Sequence, residues 1–253
     1  MNGDLFQRFV LDCVSREDVD SLTAAWQIAS CNKKAGEEQK KIISESIPKK
    51  YSSFKEYVQI VDLERFKKLA GDEDPNCLLK ELIKKGDLRN TKLCVQETQA
   101  NLNYGLYAAA QTGNLDLVKF FIGKGAIDLV GALYRAAKAS KRNVIDYLFS
   151  IGINDVSYGV YGAARGGDLE LLKFFYDEHE RRNQQKRDFH FSTLASKNEC
   201  VERAMSDACV TDNIEAVKFL VEKSGISPCF SHARHVAFQK NSVKIMEYFN
   251  SFF

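Results

Sequence analysis

The residue types best suited to chemistry lie near the C-terminal end of the chain, where Cys229-x-x-His232-x-x-His235 sets a thiol and two imidazoles at three-residue intervals. Residues three apart on a helix share a face, so His232 and His235 would point the same way, with Cys200 and Cys209 upstream as further zinc ligands. The irregular cysteine spacing argues against a metal. The plainer expectation is a short helix with Cys229 at its start. His179 and His190 fall in a strongly charged stretch and are expected in solvent. Gly113, Gly123-x-Gly125 and Gly166-Gly167 read as turn glycines, since no nucleotide loop, metalloprotease helix or nucleophile elbow accompanies them. No catalytic constellation emerges, so neither a cofactor nor an enzymatic activity is expected.

The elements that would position these residues come from a repeat. Tyr104 to Phe121, Gly131 to Leu148 and Tyr158 to Phe175 align without a gap at a spacing of 27. Tyr107, Tyr134 and Tyr161 coincide, as do the pairs Ala109–Ala110, Ala136–Ala137 and Ala163–Ala164. Gly86-Asp87-Leu88 extends the register upstream. Downstream, Asp212 to Leu220 repeats the motif after an 18-residue insertion, and Ser242 to Phe249 repeats it 29 residues further on. Asp62 to Leu69 and Asp18 to Leu22 are fainter echoes. Within a copy, Leu106, Ala109 and Ala110 give one helical stripe, Gly113-Asn114 a break, and Leu117, Val118, Phe121 and Ile122 a second stripe. Each copy therefore predicts two short helices joined by a tight turn, and helices this short persist only when packed on neighbours.

The string Ala-Ala-x-x-Gly-Asn-Leu-Asp-Leu-Val-Lys-Phe-Phe121, ending in Gly-Lys-Gly-Ala126, resembles the second half of an ankyrin repeat. Tyr104-Gly-Leu-Tyr107 replaces that family's Thr-Pro-Leu-His opening, and the period is 27 rather than about 33, which removes most of the linking β-hairpin. The resemblance implies an all-α fold: an ankyrin-like solenoid of stacked helix–turn–helix repeats over 76–253, with an insertion near 178–198, behind a helical N-terminal capping segment over 1–75. It also implies a protein–protein interaction scaffold. The tyrosines occupy the place of the family's structural histidine, and their hydroxyls are expected to bond inter-repeat backbone. The outer face of each first helix would line a concave binding surface. Gln111, Arg135, Lys138 and Arg165 are candidates there, with Arg142 continuing the basic strip, and an acidic protein surface is the partner expected. In the insertion, the charged run Glu180 to Arg187 holds Arg181 and Arg182, which are further candidates because repeat insertions project as binding elements. The insertion is expected to lengthen one second helix and add a loop before Cys200.

The N-terminal third does not repeat cleanly. Leu5, Phe6, Phe9, Val10, Cys13 and Val14 form an amphipathic stripe, a second helix follows from Ser15, and Asn32 to Lys50 read as a loop or exposed helix. The spacing Phe6-x-x-x-Val10-Leu11-x-x-Val14-x-x-x-Asp18-Val19-x-x-Leu22 is similar to an F-box. That similarity implies an alternative function, a ubiquitin-ligase substrate adaptor, although the module's Leu-Pro opening is replaced by Asn2-Gly3.

Composition limits the rest. A net charge of +2 over 253 residues provides no field favouring nucleic acid or membrane. Seven scattered cysteines inside apolar patterns suit a reducing, intracellular (cytoplasmic or nuclear) setting rather than a disulfide scaffold. There is no signal-peptide core and no apolar run long enough to span a bilayer. The last copy ends in Phe252 and Phe253, which are expected to fold back over its apolar face.

Overall fold

The Gly-Asn breaks of the sequence fold as left-handed turns between paired helices. The structure, a computed structural model, describes residues 3–31, 36–49, 51–71, 74–187, 193–224 and 231–252, and every regular element among them is an α-helix. The chain divides into two compact units, Met1–Asp74 and Pro75–Phe253.

The first unit contains α1 (Gly3–Ser15), α2 (Val19–Cys31), α3 (Gly36–Ser46) and α4 (Phe54–Ala70). Phe6, Val10 and Cys13 of α1 and Val19 and Leu22 of α2 meet Ile43, Ile47, Phe54 and Tyr57 in one apolar core, while Trp26 stacks on Phe54 with ring centroids 4.7 Å apart. The polar stretch before Lys50 is thus more than exposed helix, because Ile43 and Ile47 supply core from within it. Leu5 and Phe9 of the α1 stripe stay exposed, as does Leu11.

The second unit is a series of helix pairs: α5 (Pro75–Lys85) and α6 (Leu88–Glu97), α7 (Leu102–Thr112) and α8 (Leu115–Gly123), α9 (Leu129–Lys138) and α10 (Arg142–Ser150). Then come α11 (Ser157–Gly166) and α12 (Leu169–Arg187), α13 (Thr193–Val210) and α14 (Ile214–Ser224), and α15 (Ser231–Gln239) and α16 (Val243–Asn250). The turn inside each pair repeats one geometry. Gly86, Gly113, Ser140, Gly167, Asp212 and Asn241 all take positive φ, between 53° and 86°. In five of these six turns the next residue's N–H returns to a carbonyl five residues back, as in Asn114 to Ala109 (3.1 Å), Lys141 to Ala136 (2.9 Å) and Asn213 to Ala208 (3.0 Å), which satisfies carbonyls left over at the helix end. That same residue then caps the second helix where it is Asp or Asn: Asp87 accepts from Asn90 N–H, Asn114 from Leu117, Asp168 from Leu171 and Asn213 from Ala216. In the first unit the faint echo at Asp18 folds the same way, with Glu17 at φ 54° and Asp18 N–H on Cys13 O.

First helices pack on first helices, α5 on α7, α7 on α9, α9 on α11, α11 on α13 and α13 on α15. The alanine pairs sit fully buried at these contacts. A Cβ at Gly162 would stand 2.4 Å from the Tyr134 carbonyl oxygen, which shows how near α11 comes to α9. The second helices bury Leu117, Val118 and Phe121, then Val144, Ile145 and Leu148, then Leu171, Leu172 and Phe175.

The insertion lengthens α12 as expected, and Cys200 lies within α13; the loop expected before Cys200 would fall on residues 188–192, which lie outside the described residues. His179 corrects its sequence expectation: it is buried, with its ring 3.2 Å from the Asn183 amide one turn on, while His190 lies outside the described residues. At the C-terminal end Phe249 is buried, and Phe252 turns edge-on to Tyr248 at 5.1 Å yet remains 43% exposed. Phe253 is not described. No helix among the described residues is long and apolar enough to cross a membrane.

Candidate functional site

The metal-like cluster does not assemble as a described site. Cys229 lies outside the described residues, His232 is exposed, and His235 Nε2 lies 2.9 Å from the Gln239 amide. Among the described residues no three His, Cys, Asp or Glu side chains converge as metal ligands. Burial pushes the thiol of Cys200 up to about 11 and that of Cys209 up to about 12, so both stay protonated and poorly nucleophilic at neutral pH.

What the first helices do build is a cleft of about 290 Å³, whose walls are tyrosines and arginines. Tyr107 on α7 donates its hydroxyl to the Asp128 carboxylate, and Asp128 also caps α9 by accepting Gly131 N–H at 2.9 Å. Burial, with Asp128 beside it, raises the Tyr107 hydroxyl to about 12. Tyr134 on α9 donates to Asp207 on α13 at 3.4 Å, and Arg165 on α11 donates to the same oxygen at 2.9 Å. Tyr161 is buried against Cys200 and its hydroxyl is raised, mainly by burial. The tyrosine hydroxyls therefore bond carboxylates and a thiol of neighbouring elements, not the inter-repeat backbone that the sequence suggested.

Two guanidinium groups rest on tyrosine rings. Arg135 lies 5.9 Å from the Tyr107 centroid, and Arg203 lies 5.1 Å from Tyr161 and 5.9 Å from Tyr158. Beyond Arg135 a second hollow of about 360 Å³ opens over Tyr104, Ala108, Gln111, Lys80 and Lys84, and it shares Tyr107 and Arg135 with the first.

Of the residues singled out from sequence, Gln111, Arg135 and Arg165 line these two hollows. Lys138 is half-buried beside Arg165 and Arg135, and its ammonium is pushed down by burial and then by those two cations. Arg142 is exposed in the first turn of α10 and lines neither hollow. Arg181 and Arg182 are not brought to the cleft either. Both bind Glu178, each through a 2.6 Å contact. Arg182 also donates to the carbonyls of Ile153 and Asn154 and lies over the Phe149 ring, so it ties α12 to the loop before α11. Sequence reasoning missed Asp207, Arg203, Lys80 and Lys84. Counted back from the capping residue, Asp207 occupies the position of Arg135, Arg203 that of Tyr104 and Tyr158, and Lys84 that of Gln111. That count was the available signal, and the insertion hid it for α13.

Comparison of the sequence with protein-family models finds no match, and comparison with curated proteins finds none either. The functional reading rests on the cleft itself.

Proposed function

We propose that the chain is a non-enzymatic binding scaffold, in which the helix pairs stack as an ankyrin-like solenoid and the open face of the first helices holds a protein partner. The observation that carries this reading is the pair of adjoining hollows, lined by tyrosine and arginine and continuous across side chains from α5, α7, α9, α11 and α13. Tyrosine and arginine are the residue types that dominate binding energy at protein interfaces, because each offers a large contact area with a polar group at its end. The shape is an open groove, suited to an extended or convex partner. A photo-crosslinking benzoylphenylalanine at Gln111 on α7, or at Asp116 on α8 of the same helix pair, tests it in an extract of the native cells. Discrete protein adducts at Gln111 and none at Asp116 are expected; adducts at neither position, or equally at both, refute the first-helix face.

A second reading, in which the N-terminal helices dock a ubiquitin-ligase adaptor, draws on Leu5, Phe9 and Leu11 standing exposed on α1. Loss of adaptor capture on deleting residues 1–30, with the Gln111 adducts unchanged, would favour it.

A further inference from the structure

We infer that the cleft recognises an acidic peptide segment, gripping one carboxylate at Arg135 and another at Arg203. This rests on the scaffold reading above and specifies the chemistry of its partner.

The charge inventory of the cleft is unbalanced. Three guanidinium groups line it, from Arg135, Arg165 and Arg203, against one lining carboxylate, Asp207. Asp128 and Asp155 lie near Tyr107 and Tyr161 but are engaged, Asp128 by the Tyr107 hydroxyl and Gly131 N–H and Asp155 by Ser157 N–H. Asp207 is already committed, accepting from Arg165 at 2.9 Å and from Tyr134 at 3.4 Å. Among the described residues Arg135 and Arg203 have no carboxylate of their own; each is held by tyrosine ring faces. A guanidinium engaged through its face keeps its N–H donors at the rim, where their planar fork matches a carboxylate. The ring contacts bias the two arginines toward the cleft, which lowers the side-chain freedom lost on binding. Lys138 reports the same surplus: after burial, Arg165 and Arg135 push its ammonium down, and Asp207 opposes them. An incoming anion would relieve that repulsion.

Discrete carboxylates fit better than a nucleic-acid strand. Single-strand binding needs a row of open aromatic faces for successive bases to stack on; in this cleft arginines lie over Tyr107, Tyr158 and Tyr161, and Tyr104 in the adjoining hollow is left as a single exposed ring.

Fluorescence anisotropy of a labelled oligoglutamate, titrated with the full chain, tests the proposal. Binding should be detectable at low salt and weaken as salt rises. It should fall at least tenfold in the double variant Arg135→Gln/Arg203→Gln, and stay unchanged in Lys173→Gln/Lys218→Gln, which removes two positive charges from second helices. The double variant Arg135→Lys/Arg203→Lys preserves charge and bulk but not the planar fork; it should show an intermediate loss, and it decides the matter if the glutamine variant does not fold. No binding of oligoglutamate, equal loss in both charge-removing variants, or tighter binding of a labelled oligothymidylate each overturns the proposal. If Gln111 adducts form while oligoglutamate fails to bind, the acidic chemistry is wrong and the scaffold reading stands; if both fail, both fall.

Discussion

The close approach of α9 and α11 depends on single atoms. A Cβ at Gly162 would meet the Tyr134 carbonyl at 2.4 Å and the Lys138 amide nitrogen at 3.1 Å, both of them backbone that cannot swing aside. Gly162→Ala should therefore destabilise the protein by about 1–3 kcal/mol, the usual range for overpacking. Gly123, near the end of α8, has nothing within 4 Å of a built Cβ and no positive φ, so Gly123→Ala should be neutral or stabilise by up to about 1 kcal/mol through the unfolded chain. Thermal unfolding of the two variants is the check. Equal shifts would mean that α9 and α11 are further apart than described.

Among the elements, α12 differs from the other second helices in its length, and its extension carries an ion-pair cluster. Arg181, then Arg182, hold the Glu178 carboxyl down to about 2, from an ordinary value of 4.5. A depressed carboxylate contributes stability that is complete above the unfolded value and is lost as pH falls toward the folded one. The window is thus pH 4.5 down to about 2. Arg181 is largely exposed and solvent screens its share, so the Glu178 contribution should be of order 1 kcal/mol. Glu178→Gln should lower the urea midpoint at neutral pH, and the gap from the native chain should close as pH is lowered through that window. A gap that stays constant with pH would assign the effect to packing of Arg182 on Phe149 instead of to charge.

For the whole second unit, the contact pattern makes position along the series of helix pairs matter. Ala136 and Ala237 are both fully buried at equivalent first-helix positions. However, α9 packs on α7 and on α11, while α15 has a first-helix neighbour only in α13 among the described residues. In a nearest-neighbour array an interior defect disturbs two interfaces and a terminal one disturbs one. Ala136→Leu should therefore reduce the unfolding midpoint more than Ala237→Leu, with the interior cost about 1–3 kcal/mol. Reversal of that order would argue against an array in which each pair leans only on its neighbours.

The helix pairs themselves were legible in the sequence. Gly-Asn and Gly-Asp breaks between apolar stripes specify a left-handed helix end followed by a capped helix start, and both depend on residues adjacent in the chain. That local logic extends even to Ser140-Lys141 and Asn241-Ser242, which keep the turn without glycine. The candidate site was legible only in part. Arg135 and Gln111 stand on the open face because their place in the repeat puts them there. Whether a basic residue is available to a partner is a different matter, since it depends on what lies opposite in space. Arg165 finds Asp207 42 residues away, and Arg182 finds carbonyls 28 and 29 residues back. No local pattern encodes those pairings, because helix packing brings together partners far apart in the chain. Tertiary structure alone decided which arginines were consumed inside the protein and which two, Arg135 and Arg203, were left facing an open cleft.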